Sequence, residues 1–589
     1  MKRITLICLA LASAIAIQAQ PTQEFRGVWV ATVANLDWPT SRTATVAAQQ
    51  ADLVAHFDQL KAAGVNAILF QVRTEGDALY ASTIEPWSYY LTGTEGQAPS
   101  PFWDPLAFAI REAHKRGMEL HAWLNPYRAD RVPGLFTRAA NHVTVTNPEW
   151  IITATSTSSS IKIMNPGIPA VRNRITAVVM DIVRRYDVDG IHFDDYFYPY
   201  PPNDMGFNTA RWDLDKATFE QYGAGFATRS DWRRNNINTM VKAVHDSIKA
   251  VKPHVKFGIS PFGIWKSGTP SGITGMNAWD VIYADALQWL TVKSVDYITP
   301  QLYWRFGGGQ DYGKLAPWWS GFSDAAQRHH YPGLAAYQLS TWTLNDITSQ
   351  LRLNKADSRI QGEVLFRSRS VGNNTKNIAD TLRTIYYREP AITPHMPWLP
   401  QGQPAAPVNL TASVSGDGVR ATLTWSKPAI TSATADTTLF YLVTKEGSAR
   451  PLVLTGQTSF TDPAFNNTES MYRVQAIGRN GAVSLAAEAL VATSIDRGGD
   501  LAMQTRLETN YPNPFNPSTV IRWQLAVGSQ TRLVVYDIMG REIAVLADGM
   551  YPSGRHEVVF DASRLASGVY IYTLEAGGQR FTRRMTLLK

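Results

Sequence analysis

From Glu24 to about Pro400, short apolar runs with strand character alternate with stretches in which apolar residues recur at helical spacing. Eight strand candidates arranged in this way predict a (β/α)8 TIM barrel. An open doubly wound sheet is the alternative, but the count of eight and the absence of a glycine-rich phosphate loop favour the barrel. The candidates are residues 25–32, 67–72, 118–125, 190–194, 255–261, 295–301, 333–338 and 363–367, with helical patterns at 47–63, 105–116, 171–185 and 232–251.

Beyond residue 400 the apolar pattern changes to short alternating runs, which are typical of β-strands. A linker rich in proline, glutamine and alanine comes first, and strands are then predicted at 408–414, 420–425, 440–445 and 471–478. The predicted fold class is therefore α/β: a TIM barrel at residues 22–400 followed by two small all-β sandwich domains, at 404–493 and 505–589.

The fourth strand candidate ends in two adjacent carboxylates, Asp194 and Asp195. Side chains alternate along a strand, so His192 and Asp194 share one face while the apolar residues between them face the helices. A buried carboxylate without a partner is costly, so we expect this pair at the open mouth of the barrel. A helix-capping pair is a simpler interpretation, but it explains neither the inward His192 nor the aromatic loop at 196–200.

Composition limits the possible cellular location and binding partners of the protein. A basic start and an apolar stretch predict a secretory signal peptide at residues 1–19, and the only cysteine, Cys8, lies inside it. The mature chain has no apolar run that predicts a transmembrane segment. The net charge of +7 is spread over 589 residues without a dense basic run, so nothing indicates a nucleic-acid partner. The 18 Trp and 24 Tyr suit sugar-binding clefts, although large cores also bury many aromatic rings.

The two aspartates are the residue types that glycoside hydrolysis requires. One group must protonate the leaving oxygen and another must stabilise the oxocarbenium-like centre. Because neighbours in a strand point apart, both can reach one sugar only if the chain turns at Asp195. No spacing of His or Cys indicates a metal site, although Glu75, Asp77 and Asp194 could meet at a cation, and we expect no cofactor.

Seven motifs follow one another near the strand candidates. They are FRGVWVATVANLDWP (25–39), FQVRTEGDALY (70–80), HAWLNPYR (121–128), MNPG (164–167), DGIHFDDY (189–196), GISPFG (258–263) and PQLYW (300–304). This ordered set resembles glycosyl hydrolase-like family ten over residues 24–370. The resemblance implies a TIM barrel that hydrolyses a bacterial cell-envelope glycan, with peptidoglycan strands as the suggested substrate.

Candidate site residues lie in these motifs, close to the barrel mouth. We expect Asp194, Asp195 and Glu75 to be catalytic. Substrate-binding candidates are Trp29, Arg73, Asp77, Asn125, Tyr127, Arg128, His192, Tyr196, Tyr303 and Trp304, and Trp38, Trp123 and Trp265 are further candidate stacking platforms.

Two mechanisms stay open. The adjacent pair is similar to the Asp-Asp of the family that removes O-linked N-acetylglucosamine, which implies that the acetamido oxygen of the sugar is the nucleophile, Asp194 polarises the acetamido group and Asp195 is the acid/base. The fourth strand also resembles that of α-amylase-type barrels, which implies Asp194 as a covalent nucleophile with Glu75 or Glu363 as the acid. A catalytically inactive surface protein that binds glycans is the non-enzymatic alternative.

The C-terminal region carries its own motifs. NYPNPFNPST (510–519), LASGVYIY (565–572) and the basic ending RRMTLLK (583–589) resemble the C-terminal sorting domain of type IX secretion cargo. This resemblance implies the type IX secretion machinery as a partner and a secreted or outer-surface location. Trp425 and Tyr472 in the preceding domain resemble the core aromatics of a fibronectin type III module.

Overall fold

The structure is a computed structural model that describes residues 22–155, 160–200, 212–400, 402–428, 438–491 and 505–589. The predicted signal peptide at 1–19 lies outside these residues. The chain divides into two compact units, Met1–Thr493 and Ser494–Lys589.

A parallel sheet of eight strand positions forms the barrel of the first unit. Strand eight pairs with strand one, Phe25 opposite Gly362, and the seventh position pairs with both the sixth and the eighth, so the sheet closes on itself. The predicted TIM barrel is confirmed. The strands are Phe25–Val30, Ala67–Arg73, Glu119–Leu124, Gly190–Phe193, Lys256–Ile259, Tyr297–Ile298, His329–His330 with Gly333–Leu334, and Gly362–Leu365.

Several of the helices between the strands begin at capping residues. Thr45 and Asp104 each accept a hydrogen bond from a first-turn N–H, and Thr343 and Asp346 form a reciprocal capping box. The outward-facing strand residues pack against these helices, as Ile191 and Phe193 do in the main core. The longer helices are Val46–Ala62, Pro105–Lys115, Pro169–Arg185, Arg229–Val251, Tyr312–Ala325 and Leu344–Ala356.

The seventh strand differs from its prediction at residues 333–338. It begins at His329, and Ala336–Ser340 forms a 3-10 helix instead. The imidazoles of His329 and His330 are both buried, so two polar residues occupy strand positions in the core. Pro332 interrupts the strand between its two halves because proline has no N–H to donate.

The insertion after strand three folds into a small antiparallel sheet of its own. Its strands are Arg128–Asp130, Ile151–Thr155 and Ser160–Met164. Arg128 is paired with Ile163 in this sheet, so its backbone is held by regular hydrogen bonding beside the barrel mouth.

A seven-stranded β-sandwich completes the described part of the first unit. Trp425, Tyr441 and Tyr472 are buried between its two sheets, and the Tyr472 hydroxyl donates to Asp462 at 2.7 Å. The fibronectin type III assignment stays a prediction. One sheet contains Val408–Val414, Ala421–Ser426 and Ser459–Asp462, and the other contains Val453–Thr455, Thr438–Lys445, Ser470–Gly478 and Val483–Val491.

The sandwich docks on the barrel at the N-terminal ends of the strands, opposite the mouth. Arg479 donates to both oxygens of Asp187 at 2.6 and 2.7 Å and to Asp189 at 3.1 Å. The other oxygen of Asp189 accepts hydrogen bonds from His114 Nε2 at 2.7 Å and from the Leu120 amide at 2.8 Å. Although burial opposes ionisation, His114 and Arg479 hold the pKa of Asp189 below its usual range.

The second unit is another seven-stranded β-sandwich with its own core, which includes Phe515, Trp523 and Tyr572. Its sheets contain Arg506–Leu507, Ser518–Leu525 and Gly554–Asp561, and Glu542–Tyr551, Ser529–Tyr536, Gly568–Ala576 and Gln579–Leu587. Within the described ranges, no helix has both the length and the apolar character needed to cross a membrane.

The Arg479 ion pairs predict how much the sandwich stabilises the barrel. Arg479→Ala should lower the thermal midpoint of the first unit by on the order of 5 °C, because it removes charge-assisted hydrogen bonds to a buried carboxylate. Arg473→Ala is the matched control, since its pair with Glu488 is exposed and should contribute little. Differential scanning calorimetry of both variants tests this, and equal shifts would contradict it.

Candidate active site

A cavity of about 290 Å³ opens at the C-terminal ends of the barrel strands. Asp194 follows the fourth strand directly, and the Phe197 amide donates to the Asp195 carbonyl at 3.0 Å, which closes a tight turn. This turn brings both carboxyl groups into one cavity. The lining residues are Trp29, Trp123, Asp194, Asp195, Tyr196, Tyr200, Ser260, Phe262, Gln301, Tyr303 and Phe366.

Three N–H donors hold the Asp194 carboxyl group. Trp123 Nε1 and Asn125 Nδ2 donate to one oxygen at 3.0 and 3.2 Å, and the Tyr196 amide donates to the other at 3.2 Å. Burial, reinforced by neighbouring Asp195, raises the pKa of Asp194 to about 7. The donors and the nearby Arg128 oppose this rise because they favour the charged form.

Asp195 is held from a different direction. The Tyr200 hydroxyl donates to it, and Gln301 is a second side-chain partner. Burial raises the pKa of Asp195, and burial beside this carboxyl raises the pKa of Tyr200 well above its usual value, so Tyr200 stays a proton donor. Two neighbouring carboxyl groups with raised pKa values can retain one proton near neutral pH.

A chain of hydrogen bonds runs through the barrel interior below the cavity. Trp29 Nε1 donates to His192 Nε2 at 3.1 Å, so that nitrogen is an acceptor and the proton lies on Nδ1. Nδ1 then donates to the Tyr297 hydroxyl at 3.1 Å, which donates to His121 Nδ1 at 2.8 Å. His121 Nε2 completes the chain at Glu119, 3.0 Å away.

This chain gives His192 a structural role in place of the expected substrate contact. His192 is buried, does not line the cavity, and burial lowers the pKa of its imidazole well below the usual value. Its bond to Trp29 fixes an aromatic wall of the cavity. The barrel interior has room for the His121 ring of this hydrogen-bond chain because residue 190 is a glycine. A Cβ on Gly190 would come within 2.4 Å of His121 Nδ1.

Asn125 and Arg128 lie beside the carboxyl pair without lining the cavity. Asn125 connects Arg128 to Asp194, because its Oδ1 accepts from the Arg128 amide at 3.0 Å while its Nδ2 donates to Asp194. The Arg128 guanidinium lies 4.8 Å from the centre of the Tyr196 ring, and its Nε donates to the Thr74 carbonyl at 2.9 Å. Arg128 therefore supplies positive charge next to the two carboxyl groups.

Glu75, the expected acid of the covalent mechanism, does not reach the cavity. It is buried in the loop after strand two, where one oxygen accepts from the Arg131 amide at 2.5 Å and from Arg138 at 3.0 Å. Arg138 also pairs with Glu95 and Asp130, so Glu75 belongs to a buried ion-pair cluster that joins two insertions.

Three expected substrate contacts in the same region do not line the cavity. Arg73 is buried and donates to both oxygens of Glu85 at 2.7 Å. Asp77 accepts from the amides of Thr74 and Glu75, which closes the loop after strand two. Tyr127 is buried in the main core.

The alternative acid Glu363 is also occupied elsewhere. It is buried, and it accepts hydrogen bonds from Tyr387 and Asn354. The carboxylates suggested for a cation site, Glu75, Asp77 and Asp194, are held by separate partners. Over the described residues, no three His, Cys, Asp or Glu side chains stand together as a metal site.

The aromatic candidates divide between the cavity and the core. Tyr303 lines the cavity and stacks on Phe366, with ring centres 5.9 Å apart. Trp304 lies next to it, half-buried against the edge of Phe262. Trp38 is a core residue whose Nε1 donates to the Gln49 carbonyl, and Trp265 donates to Asp285.

Several cavity residues were not predicted as site residues. Tyr200, Ser260, Phe262, Gln301 and Phe366 all line it. Each lies within a few residues of the end of a strand candidate or in the aromatic loop after strand four, and that position was the signal that could have identified them.

Comparison with known proteins supplies a family. Residues 24–348 match the family described as Glycosyl hydrolase-like 10, and residues 509–587 match the Secretion system C-terminal sorting domain. The sorting domain indicates type IX secretion to the cell surface or to the outside.

Named relatives match the barrel region. The chain is 38% identical over 403 residues to Glycosyl hydrolase YngK of Bacillus subtilis, which covers 66% of this chain and 77% of the relative. It is 38% identical over 380 residues to Glycosyl hydrolase DigH of Escherichia coli K12, with coverages of 59% and 84%. Among solved structures, the endo-beta-1,4-mannanase of Thermotoga petrophila aligns with 96% of this chain and 98% of its own, at 10% identity and a TM-score of 0.36.

The raised pKa of Asp194 predicts a dependence of stability on pH. Its folded-state pKa of about 7 lies above the usual 3.8, so its contribution is fully present below about pH 4 and is lost as the pH rises to 7. Asp194→Asn removes this titration. The stability of the variant relative to the parent should therefore rise between pH 4 and 7, by on the order of 1–4 kcal/mol, and stay level above that.

Thermal midpoints measured from about pH 2 to 8 test this dependence. Asp231→Asn is a control of opposite sign, because Thr228 and Arg234 hydrogen bonds lower the pKa of that exposed carboxyl group. Its relative stability should fall as the pH rises from acid values. A constant difference between Asp194→Asn and the parent at every pH would contradict the assignment.

Proposed function

The chain belongs to the glycosyl hydrolase-like 10 family, and from this premise we propose that it hydrolyses O-glycosidic bonds in a bacterial cell-envelope glycan. The proposed substrate is the N-acetylated glycan strand of peptidoglycan, with Asp194 and Asp195 as the catalytic centre. The observation that carries this proposal is that both carboxyl groups face one aromatic cavity at the barrel mouth.

The different partners of the two carboxyl groups suggest different roles. Asp194 is oriented by three N–H donors, which stabilise its charged form and suit it to accept the N–H of an acetamido group. Asp195 is held by the side chains of Tyr200 and Gln301, and burial raises its pKa, which suits a group that first donates a proton to the leaving oxygen and later takes one from water.

Acetamido participation is the mechanism that the geometry supports better. Asp194 and Asp195 are the only carboxyl groups among the described residues that line the cavity. The covalent mechanism with Asp194 as nucleophile and Glu75 or Glu363 as acid needs one of those two groups at the glycosidic bond, and both are engaged elsewhere. If the sugar supplies its own acetamido oxygen as nucleophile, one polarising carboxylate and one acid/base are sufficient.

The cavity walls are consistent with a sugar ring as ligand. Trp29, Trp123 and Tyr303 present aromatic surface, while Ser260 and Gln301 offer hydrogen-bonding groups between the rings. A small number of polar groups in an aromatic pocket fixes the orientation of a ligand that stacks by its apolar faces.

Substitution of each aspartate tests the proposal. Asp194→Asn and Asp195→Asn should each lower kcat on peptide-free peptidoglycan strands by at least about 100-fold, the usual scale for losing acid/base assistance. Asp324→Asn, an exposed change on helix Tyr312–Ala325, is the matched control and should leave kcat unchanged. Product masses and circular dichroism separate a catalytic loss from unfolding.

The two roles can be separated by leaving group and by substrate. A nitrophenyl glycoside needs little protonation, so it should partly restore activity to Asp195→Asn but not to Asp194→Asn. N-deacetylated strands should resist cleavage if the acetamido group participates. Labelling of Asp194 by a fluorosugar would instead support the covalent mechanism. Strand binding without any products in the parent would leave the glycan-binding, inactive alternative.

The sorting domain predicts an export phenotype. Deleting residues 505–589 should leave the first unit folded but retained in the periplasm, because the deleted residues form a separate unit that the transporter recognises. Cell fractionation with antibody against the barrel tests this. Normal surface delivery of the truncated chain would show that the domain is not required.

A further inference from the structure

The loop after the sixth barrel strand has two lined faces. Tyr303 faces the catalytic cavity. Arg305 and Phe306, only two and three residues later, line a separate groove of about 450 Å³ whose opposite wall is helix Leu344–Ala356. The helix contributes Asn345, Asp346, Ser349 and Leu353 to this groove.

The groove combines an exposed ring with hydrogen-bonding groups. Phe306 is 43% exposed, and Tyr312 supports it with ring centres 5.5 Å apart. Across from it, Arg352 donates to Asn345 Oδ1 at 3.0 Å and to Ser349 Oγ at 2.7 Å, which orients both side chains. A ring that can stack, opposite amide and hydroxyl groups, is suited to a sugar unit.

The groove is a close neighbour of the cavity. Phe306 is three positions after Tyr303, so their Cα atoms are at most about 11 Å apart. Trp304 lies between them, half-buried against Phe262, and its carbonyl accepts from Gln350 Nε2 at 2.7 Å. Gln350 belongs to helix Leu344–Ala356, so this hydrogen bond fixes the groove helix to the loop that carries Tyr303.

The lengths of the loops around the mouth also favour this side as the path of a polymer, because short connections leave the mouth more open than long ones do. The connections after strands two, three and four occupy residues 74–104, 125–168 and 194–228. The connections after strands six and seven are short, at 299–311 and 335–343.

We propose that the groove lined by Phe306 and helix Leu344–Ala356 is a distal sugar-binding subsite. It holds the continuation of the same glycan strand whose reacting sugar occupies the cavity, and this inference rests on the proposed function. The subsite contributes to the binding of long strands and does not touch the reacting bond. The enzyme would accordingly bind along a strand and favour long substrates over short ones.

Phe306→Ala tests the subsite by comparing two probes. For peptide-free peptidoglycan strands the variant should raise KM about tenfold with kcat unchanged, because it removes one stacking contact remote from the chemistry. For a nitrophenyl glycoside of a single N-acetylated sugar, which can occupy the cavity without extending to the groove, kcat/KM should stay within about twofold of the parent. Phe322→Ala is the matched control, since that ring is similarly exposed, at 42%, on helix Tyr312–Ala325.

Two outcomes would overturn the subsite. Unchanged KM for long strands would show that the groove binds nothing there, and equal losses on both probes would show that Phe306 acts on the cavity. Co-sedimentation with the strands, in an Asp195→Asn background, gives a second readout that needs no turnover, and Phe306→Ala should bind about tenfold more weakly. If the parent cleaves neither probe, the proposed function fails, while co-sedimentation still decides whether the groove binds glycan.

Discussion

The burial of two adjacent carboxyl groups at the end of the fourth strand is the constraint on which the rest of the site depends. Such groups are costly to remove from water unless hydrogen bonds replace their hydration. Strand three and the residue that follows it supply Trp123 and Asn125, and the aromatic loop supplies Tyr196 and Tyr200. The partners come from separate parts of the barrel, so the pair can be satisfied only after these parts have assembled.

The buried polar groups in the barrel interior below the cavity are also compensated by hydrogen bonds, here arranged in a continuous chain. Trp29 can only donate and the Glu119 carboxylate can only accept, so the protons of the histidines and the tyrosine between them have one consistent arrangement. Lys256 balances the charge of Glu119 at the lower end. Fully satisfied polar networks of this kind make a core rigid, and here the rigidity reaches the aromatic wall of the cavity.

Apart from strand seven, the sequence indicated the strand ends closely, but too many of their polar residues were assigned to the cavity. Arg73, Glu75 and Asp77 follow strand two, as catalytic residues of such barrels often do. The structure pairs Arg73 with Glu85 and encloses Glu75 beside Arg138, because long insertions must satisfy their own buried polar groups. A residue's position at a strand end therefore indicates proximity to the mouth, while its partners decide whether it is available to a ligand.

The sequence by itself determined the barrel, the β-rich C-terminal regions and the inward direction of His192 and Asp194, because these follow from the period of two in a strand and from the alternation of elements. The tertiary structure alone decided which groups share the cavity. Tyr200 meets Asp195 through a turn, Gln301 comes from the loop after strand six, and Glu75 and Glu363 are bound by partners distant in sequence. Hydrogen bonds between distant segments leave no periodic pattern in a single sequence, since they depend on loop paths that only folding sets.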